Sequence, residues 1–151
     1  MSQVVIDAID RKILKYLITN ARMPFLEIAR KCGISGAAIH QRIKKLDESG
    51  VILGSRLVVD PKMLGFDVCA YIGIRLQDVS ILMQTVDRLK QIPEIVECHF
   101  ITGTYNLFVK LYCVDNEHLM TTLCDRILAI PGISTTQTYI SLNEAFPVSY
   151  T

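Results

Sequence analysis

The chain has 151 residues, half of them hydrophobic, and a formal net charge of +1. That length suits one compact domain or two small ones, and the apolar half excludes a disordered tail. Its apolar runs are short, such as Leu57 to Val59, far below the roughly 20 residues of a bilayer span. Met1 to Asp10 also lacks the basic-then-apolar order of a secretory signal. A soluble cytoplasmic protein with no membrane partner is expected. Cysteines stand at 32, 69, 98, 113 and 124. Their odd number and the lack of a Cys-x-x-Cys pair point to reduced, mostly buried thiols. A zinc site would need closely spaced ligands, and neither His40 nor His118 has a cysteine nearby. Cys98 and His99, as strand neighbours, would face opposite ways. No metal and no cofactor are expected.

Dividing the chain makes its charge informative. Residues 1–60 hold ten Lys or Arg against six Asp or Glu, a net +4, while residues 61–151 hold six against nine, a net −3. Ile28 to Leu46 carries Arg30, Lys31, Arg42, Lys44 and Lys45 and no acidic residue. A basic module joined to a mildly acidic one is the electrostatic footprint of a protein that meets a phosphate backbone.

In chain order, Asp7 precedes Ile9, Ile13, Leu14 and Leu17, whose spacing makes one face of a helix ending near Asn20. Asp7 can cap it, and Asp10 adds favourable charge to its first turn. A second helix should run from about Pro24, suited to a first helical position, to Cys32, with Leu26, Ile28 and Ala29 buried and Gly33 closing it. Ser35 caps a third helix, stapled by Ile34 and Ile39, with Ile39, Ile43 and Leu46 inside and Gly50 at its end. Two helices joined through Gly33-Ile34-Ser35 form a helix-turn-helix. The third helix would present Gly36, Ala37, His40, Gln41 and Lys44, with Ser35 at its start and Arg42 and Lys45 on its flanks. Small residues allow close approach to a groove, Gln pairs with adenine, and Lys or Arg reach guanine or phosphate. The competing reading is an ordinary three-helix bundle with a polar outer face. Val51 to Val59, interrupted by Gly54-Ser55, reads as a hairpin wing that places Arg56 against the backbone. The periodicity breaks from Asp60 to Gly65.

The domains are therefore a winged helix-turn-helix over 1–60, a linker over 61–67 and a second domain over 68–151. In the second, Val68, Ala70, Ile72, Ile74 and Leu76 alternate as a half-buried strand. A helical stripe of Val79, Leu82, Met83, Val86 and Leu89 follows, up to Pro93. Strands are expected over 95–102 and 107–114, joined by Gly103-Thr104-Tyr105-Asn106. A second stripe, Leu119, Met120, Leu123, Ile127 and Ile130, ends at Pro131-Gly132, and a last strand covers 135–142. The order β-α-β-β-α-β is the ferredoxin-like split motif, so the fold class is α+β. Two helices would cover one sheet face. The other would carry Tyr71, Phe108, Tyr112 and, with them, His99. Such a patch marks an interface, read as a two-fold dimer. The alternative is that the C-terminal tail, with Phe146 and Tyr150, covers it.

This arrangement resembles the leucine-responsive regulator/asparagine regulator (Lrp/AsnC, feast/famine) family along nearly the whole chain. The motifs are Ile9-Asp10-Arg11-Lys12-Ile13-Leu14, Glu27-Ile28-Ala29, Gly33-Ile34-Ser35, Arg42-Ile43-Lys44-Lys45-Leu46 and Gly50-Val51-Ile52. The second domain adds Glu97-Cys98-His99, Gly103-Thr104-Tyr105-Asn106 and Pro131-Gly132-Ile133. The resemblance implies a transcription factor, not an enzyme. It would bind double-stranded DNA with paired recognition helices, form dimers through the C-terminal sheets, and assemble into octamers or similar rings. An amino acid or related metabolite would act as effector, near Gly103, Thr104, Tyr105, Asn106, Thr136 and Thr138. Two departures stand out. The family's loop often reads Gly-Asp-Tyr-Asp, whereas positions 104 and 106 are neutral here. Pro24 stands where the family often has a capping Ser or Thr. Two other functions compete. Siroheme decarboxylases use a similar scaffold, but His40, His99 and His118 form no evident cluster. A metabolite-binding or assembly module would use its helix-turn-helix only for packing.

Overall fold

The computed structural model describes residues 5–146, which divide between Val58 and Val59 into two compact units. In the first, α1 (Ala8–Thr19) starts at Asp7. The Asp7 side chain accepts from the Ile9 and Asp10 amides, and the Asp10 side chain accepts from the Asp7 amide. This reciprocal box satisfies donors that a helix start leaves open. The next helix, α2 (Phe25–Cys32), begins one residue later than expected, because Pro24 takes the extended N-cap conformation. Gly33 ends it at φ +68°, a left-handed geometry that a side chain resists. Ser35 then caps α3 (Gly36–Glu48) by accepting from the Ala38 amide at 3.1 Å.

Ile13, Ile28, Ile39 and Leu46 are wholly buried in this unit, with Ala29 and Ile43 nearly so. Leu26, expected inside, is instead largely exposed. It stands about 200° around the helix from Ile28. The wing is also absent. Residues 52–60 carry no strand, and Leu53 and Val58 are 94% and 91% exposed. An isolated two-stranded hairpin is marginal in water, and these short apolar runs have no sheet of their own to join.

Residues 61–67, expected to be a linker, belong to the second unit. They hold a 3-10 turn at Lys62–Leu64, and the Asp67 amide donates to the Val114 carbonyl at 3.3 Å. The unit continues as β1 (Val68–Leu76), α4 (Leu82–Leu89), β2 (Ile95–Phe100), β3 (Leu107–Cys113), α5 (Asn116–Thr121) and β4 (Ile133–Ser141). The sheet is antiparallel in the order β2-β3-β1-β4, the ferredoxin-like arrangement. Ala70, Ile72, Ile74 and Leu76 on β1 join Leu107, Val109, Leu111 and Cys113 on β3 in one core against the helices.

The helical stripes need revision in detail. Val79 lies in a 3-10 turn before α4, and both it and Met83 are exposed. Thr85 and Leu89 take the buried positions, and the Thr85 hydroxyl donates to the Ile81 carbonyl at 3.0 Å. After α5 the helix widens into a π turn, Thr122–Ile127, in which the Leu128 amide donates to the Leu123 carbonyl. The wider turn carries the buried stripe from Leu119 to Ile127 and Ile130, leaving Met120 outside. All five cysteines are free. The expectation that most are buried fails: Cys113 is buried, Cys32 and Cys69 are half-buried, and Cys98 and Cys124 are exposed. Cys98 lies on the edge strand, and Cys124 on the outer side of the π turn.

Ile72 is wholly buried on the strand between β3 and β4. Ile72→Ala is expected to cost about 2–5 kcal/mol, read as a lower urea midpoint for the loss of β-sheet circular dichroism.

Candidate nucleic-acid interface and ligand loop

The turn between α2 and α3 is tight. A Cβ on Gly36 would lie 2.9 Å from Leu26 Cδ2, so the small residue lets the two helices meet. Beyond it, Ala37, His40, Gln41 and Lys44 are exposed, at spacings that share one helix face. Ser35 and Lys45 are exposed beside them. The Phe25 ring meets His40 edge-on, with centroids 5.4 Å apart, and so steadies the imidazole against α2. Lys44 lies 3.7 Å from Glu48, but both side chains are well exposed, so the pair holds the ammonium only weakly. Lys45 Nζ donates to the Val5 carbonyl at 3.2 Å.

Two expected DNA contacts are not placed for that role. Arg42 Nη1 donates to Asp7 Oδ2 at 2.6 Å and to Asp10 Oδ1 at 2.7 Å. Its charge is therefore committed to the start of α1 rather than offered outward. Sequence alone did not reveal this because the partners lie 35 and 32 residues upstream, and both carboxylates already had a local role, Asp7 as cap and Asp10 as charge in the first turn. Arg56 is exposed on the segment that forms no hairpin, so no wing aims it.

The loop between β2 and β3 turns at Gly103, φ +113°, with Thr104 exposed. Asn106 closes the loop on β1: its amide donates to the Ile74 carbonyl and its Oδ1 accepts from the Leu76 amide, both at 2.9 Å. Tyr105 lies over Gly73, where a Cβ would come within 2.6 Å of the ring. Its hydroxyl donates to Gln137 Oε1. Desolvation and the neighbouring Tyr139 push the Tyr105 pKa above its ordinary value, keeping it a neutral donor. Thr136 and Thr138 pair with Ile74 and Ile72, whose side chains face the helices. Both threonines therefore lie on the opposite sheet face from Tyr105, and one chain does not bring the two sets together. Gln137, which the sequence reading overlooked, takes that place. The period-2 alternation of β4 was the available signal.

The open sheet face carries Tyr71, Phe108 and Tyr112 as expected from alternation, with His99 and Tyr139 beside them. Tyr71 stacks on Phe108 at 6.1 Å, and Phe108 lies 6.4 Å from Tyr139. Lys110 sits among them, its Nζ 5.7 Å from the Tyr71 ring centre and 5.4 Å from that of Tyr112. Desolvation opposes its charge, but Tyr112, Tyr71 and Glu97 outweigh that and raise its pKa. Phe146 is 83% exposed, and Tyr150 lies outside the described residues. Among the described residues no group of three His, Cys, Asp or Glu could hold a metal ion, and no helix is long and apolar enough to cross a membrane.

A helix-turn-helix with an outward polar row, in a chain that also folds a ferredoxin-like domain, defines a two-domain DNA-binding regulator. Residues 6–47 match the AsnC-type helix-turn-helix domain, and residues 69–148 match the Lrp/AsnC ligand binding domain. The regulatory protein AsnC of Escherichia coli K12 is 37% identical over 144 residues, covering 95% of both chains. The solved structure of Escherichia coli AsnC superposes with a TM-score of 0.91 at 35% identity, covering 97% of this chain and 98% of that one. A feast or famine regulatory protein from M. tuberculosis, solved with L-methionine, superposes at 0.88 with 25% identity, covering 95% and 96%. The chain belongs to the Lrp/AsnC family of transcriptional regulators.

The α1 cap makes a pH prediction. The Asp10 amide and the Arg42 guanidinium hold the Asp7 pKa below its ordinary 3.8. A depressed carboxylate stabilises the fold fully above its unfolded value and stops doing so as pH falls through the folded one. Helical circular dichroism of the N-terminal unit should stay flat near neutral pH and fall below about 3.8. Asp7→Asn, which keeps a capping oxygen, should flatten that fall.

Proposed function

We propose that the chain regulates transcription, without enzymatic activity, by laying α3 in the major groove of double-stranded DNA. The exposed row Ala37, His40, Gln41 and Lys44 carries this reading. Gln41 and Lys44 supply base-reading groups, Ala37 allows close approach, and Ser35 and Gly36 bring the helix start to the phosphates. Lys45 flanks the row as a phosphate contact.

We further propose that two copies join through the open sheet faces, burying Tyr71, Phe108 and Tyr112. The aromatic stacking and the low exposure of Lys110, 16%, support this. The unpaired apolar segment 53–59 suits a strand contributed to a second copy. Pairs of this kind would assemble further, into octamers or similar rings. An amino acid or related metabolite would act as effector at the loop Gly103, Thr104, Tyr105 and Asn106. A neighbouring copy would supply Thr136 and Thr138, which no single chain places beside Tyr105. The M. tuberculosis relative's complex with L-methionine supports an amino acid in this role. The protein would act in the cytoplasm.

Gel shifts on duplexes selected from a random pool test the DNA contacts. Lys45→Ala should weaken binding to every duplex and lower the salt slope by about 1. Gln41→Ala should instead relax base preference at one position per half-site. If both leave binding unchanged, α3 is not the reading helix. For the dimer, Phe108→Glu should yield monomers by sedimentation at micromolar concentration, and a wild-type chain that is itself monomeric would rule the interface out.

A further inference from the structure

α3 is fastened to the start of the chain by charge at one place. Arg42 Nη1 bridges Asp7 Oδ2 and Asp10 Oδ1, while the other oxygen of each carboxylate accepts backbone amides at the start of α1. The Asp10 side chain is 1% exposed and that of Arg42 28%. A carboxylate this deeply buried persists only when paired and hydrogen-bonded. Among the described residues of the first unit, this is the one ion-pair cluster joining two helices: Lys31–Glu27 and Lys44–Glu48 each lie within a single helix. Three residues along the same flank, Lys45 reaches the Val5 carbonyl. Both polar ties from α3 therefore end on residues 5–10.

We infer that Asp7, Asp10 and Arg42 form a positioning clamp for base recognition. Arg42 does not contact DNA. It fixes the roll of α3 about its own axis, and so the direction in which Ala37, His40 and Gln41 face. The apolar contacts of Ile39, Ile43 and Leu46 are non-directional and resist roll poorly. A roll of only about 20° would move a side chain about 2 Å at the roughly 6 Å radius of a helix surface. Hydrogen bonds to base edges tolerate a few tenths of an ångström. The charged clamp, anchored by geometry at both ends, removes that freedom.

The inference rests on α3 as the reading helix, and the experiment separates the two. The full-length chain selects a duplex from a random pool, and binding to that duplex and to a shuffled one is measured across salt. Arg42→Gln should lose discrimination between them by about tenfold or more, the scale of one bidentate base contact. Its salt slope on the shuffled duplex should not change. Asp10→Asn should lose discrimination likewise, although it makes the module more basic, and Arg42→Lys should restore part of it. A slope lowered by about 1 in Arg42→Gln, with both duplexes weakened equally, would make Arg42 a phosphate contact and overturn the clamp. Tighter binding of both duplexes by Asp10→Asn would overturn it too. Should either variant fail to fold by circular dichroism, Asp7→Asn opens half the clamp at an exposed position and keeps the cap. It should lose discrimination about threefold, a partial loss of one such contact, and full discrimination would overturn the clamp. A wild-type chain that selects no duplex is a different failure, that of the reading helix itself.

Discussion

The sheet has two faces, and α4 and α5 cover one. Alternation along β1 and β3 sends Ala70, Ile72, Leu107 and Val109 to the helices and so sends Tyr71, Phe108, Lys110 and Tyr112 the other way. Stacking among the aromatic rings reduces their contact with water without removing it, and Tyr139 remains 45% exposed. Such a face gains from a second copy because a two-fold operation brings the same patch to itself. The proposed pairing would have a consequence at the other unit. One N-terminal module carries only +4, a modest charge for holding a phosphate backbone. Two modules linked in the proposed dimer would bind as one, the second at high effective concentration, with no new DNA contact needed. In the proposed dimer the aromatic face would thus bear on DNA affinity without touching DNA.

Much of the fold could be read from local pattern. Period-2 alternation located β1 to the residue, and capping chemistry located α1 and α3 within one, because both signals are set by neighbours in sequence. What could not be read depended on partners far along the chain. Arg42 looked like one more cation on a basic helix until Asp7 and Asp10 met it. The β-branched run around Val58 and Val59 carries a strand propensity, but a strand needs a ladder, and none forms among the described residues of this chain. The π turn at Thr122–Ile127 left no sequence trace, since it adds width rather than a residue type.

The loop at Gly103 shows why a change in charge need not be a change in architecture. Position 106 closes the loop by accepting from the Leu76 amide through Oδ1. A carboxylate could accept the same hydrogen bond, so Asn106 keeps the closure and removes only the charge. With Thr104 also neutral, an effector's ammonium group finds no carboxylate among residues 103–106. At the proposed effector site recognition would then fall to neutral groups: the Tyr105 hydroxyl, the Gln137 amide and exposed backbone. Gln137 thereby joins the residues to examine, while Thr136 and Thr138, turned to the helix side, matter only if a neighbouring copy presents them.

The charge count of the N-terminal module also reads differently once Arg42 is placed. Asp7, Asp10 and Arg42 neutralise one another to a net −1 at the start of α1. Removing one cation and two anions from the ten and six of residues 1–60 leaves nine against four, or +5, on the rest of the module. The module's +4 is therefore divided into −1 at the start of α1 and +5 elsewhere, and α3 offers one cation fewer than its sequence suggests. Charge near a groove governs affinity, whereas the angle at which a reading helix presents its side chains to base edges governs discrimination. In this module one arginine is withdrawn from the first task and held, by a buried carboxylate, for the second.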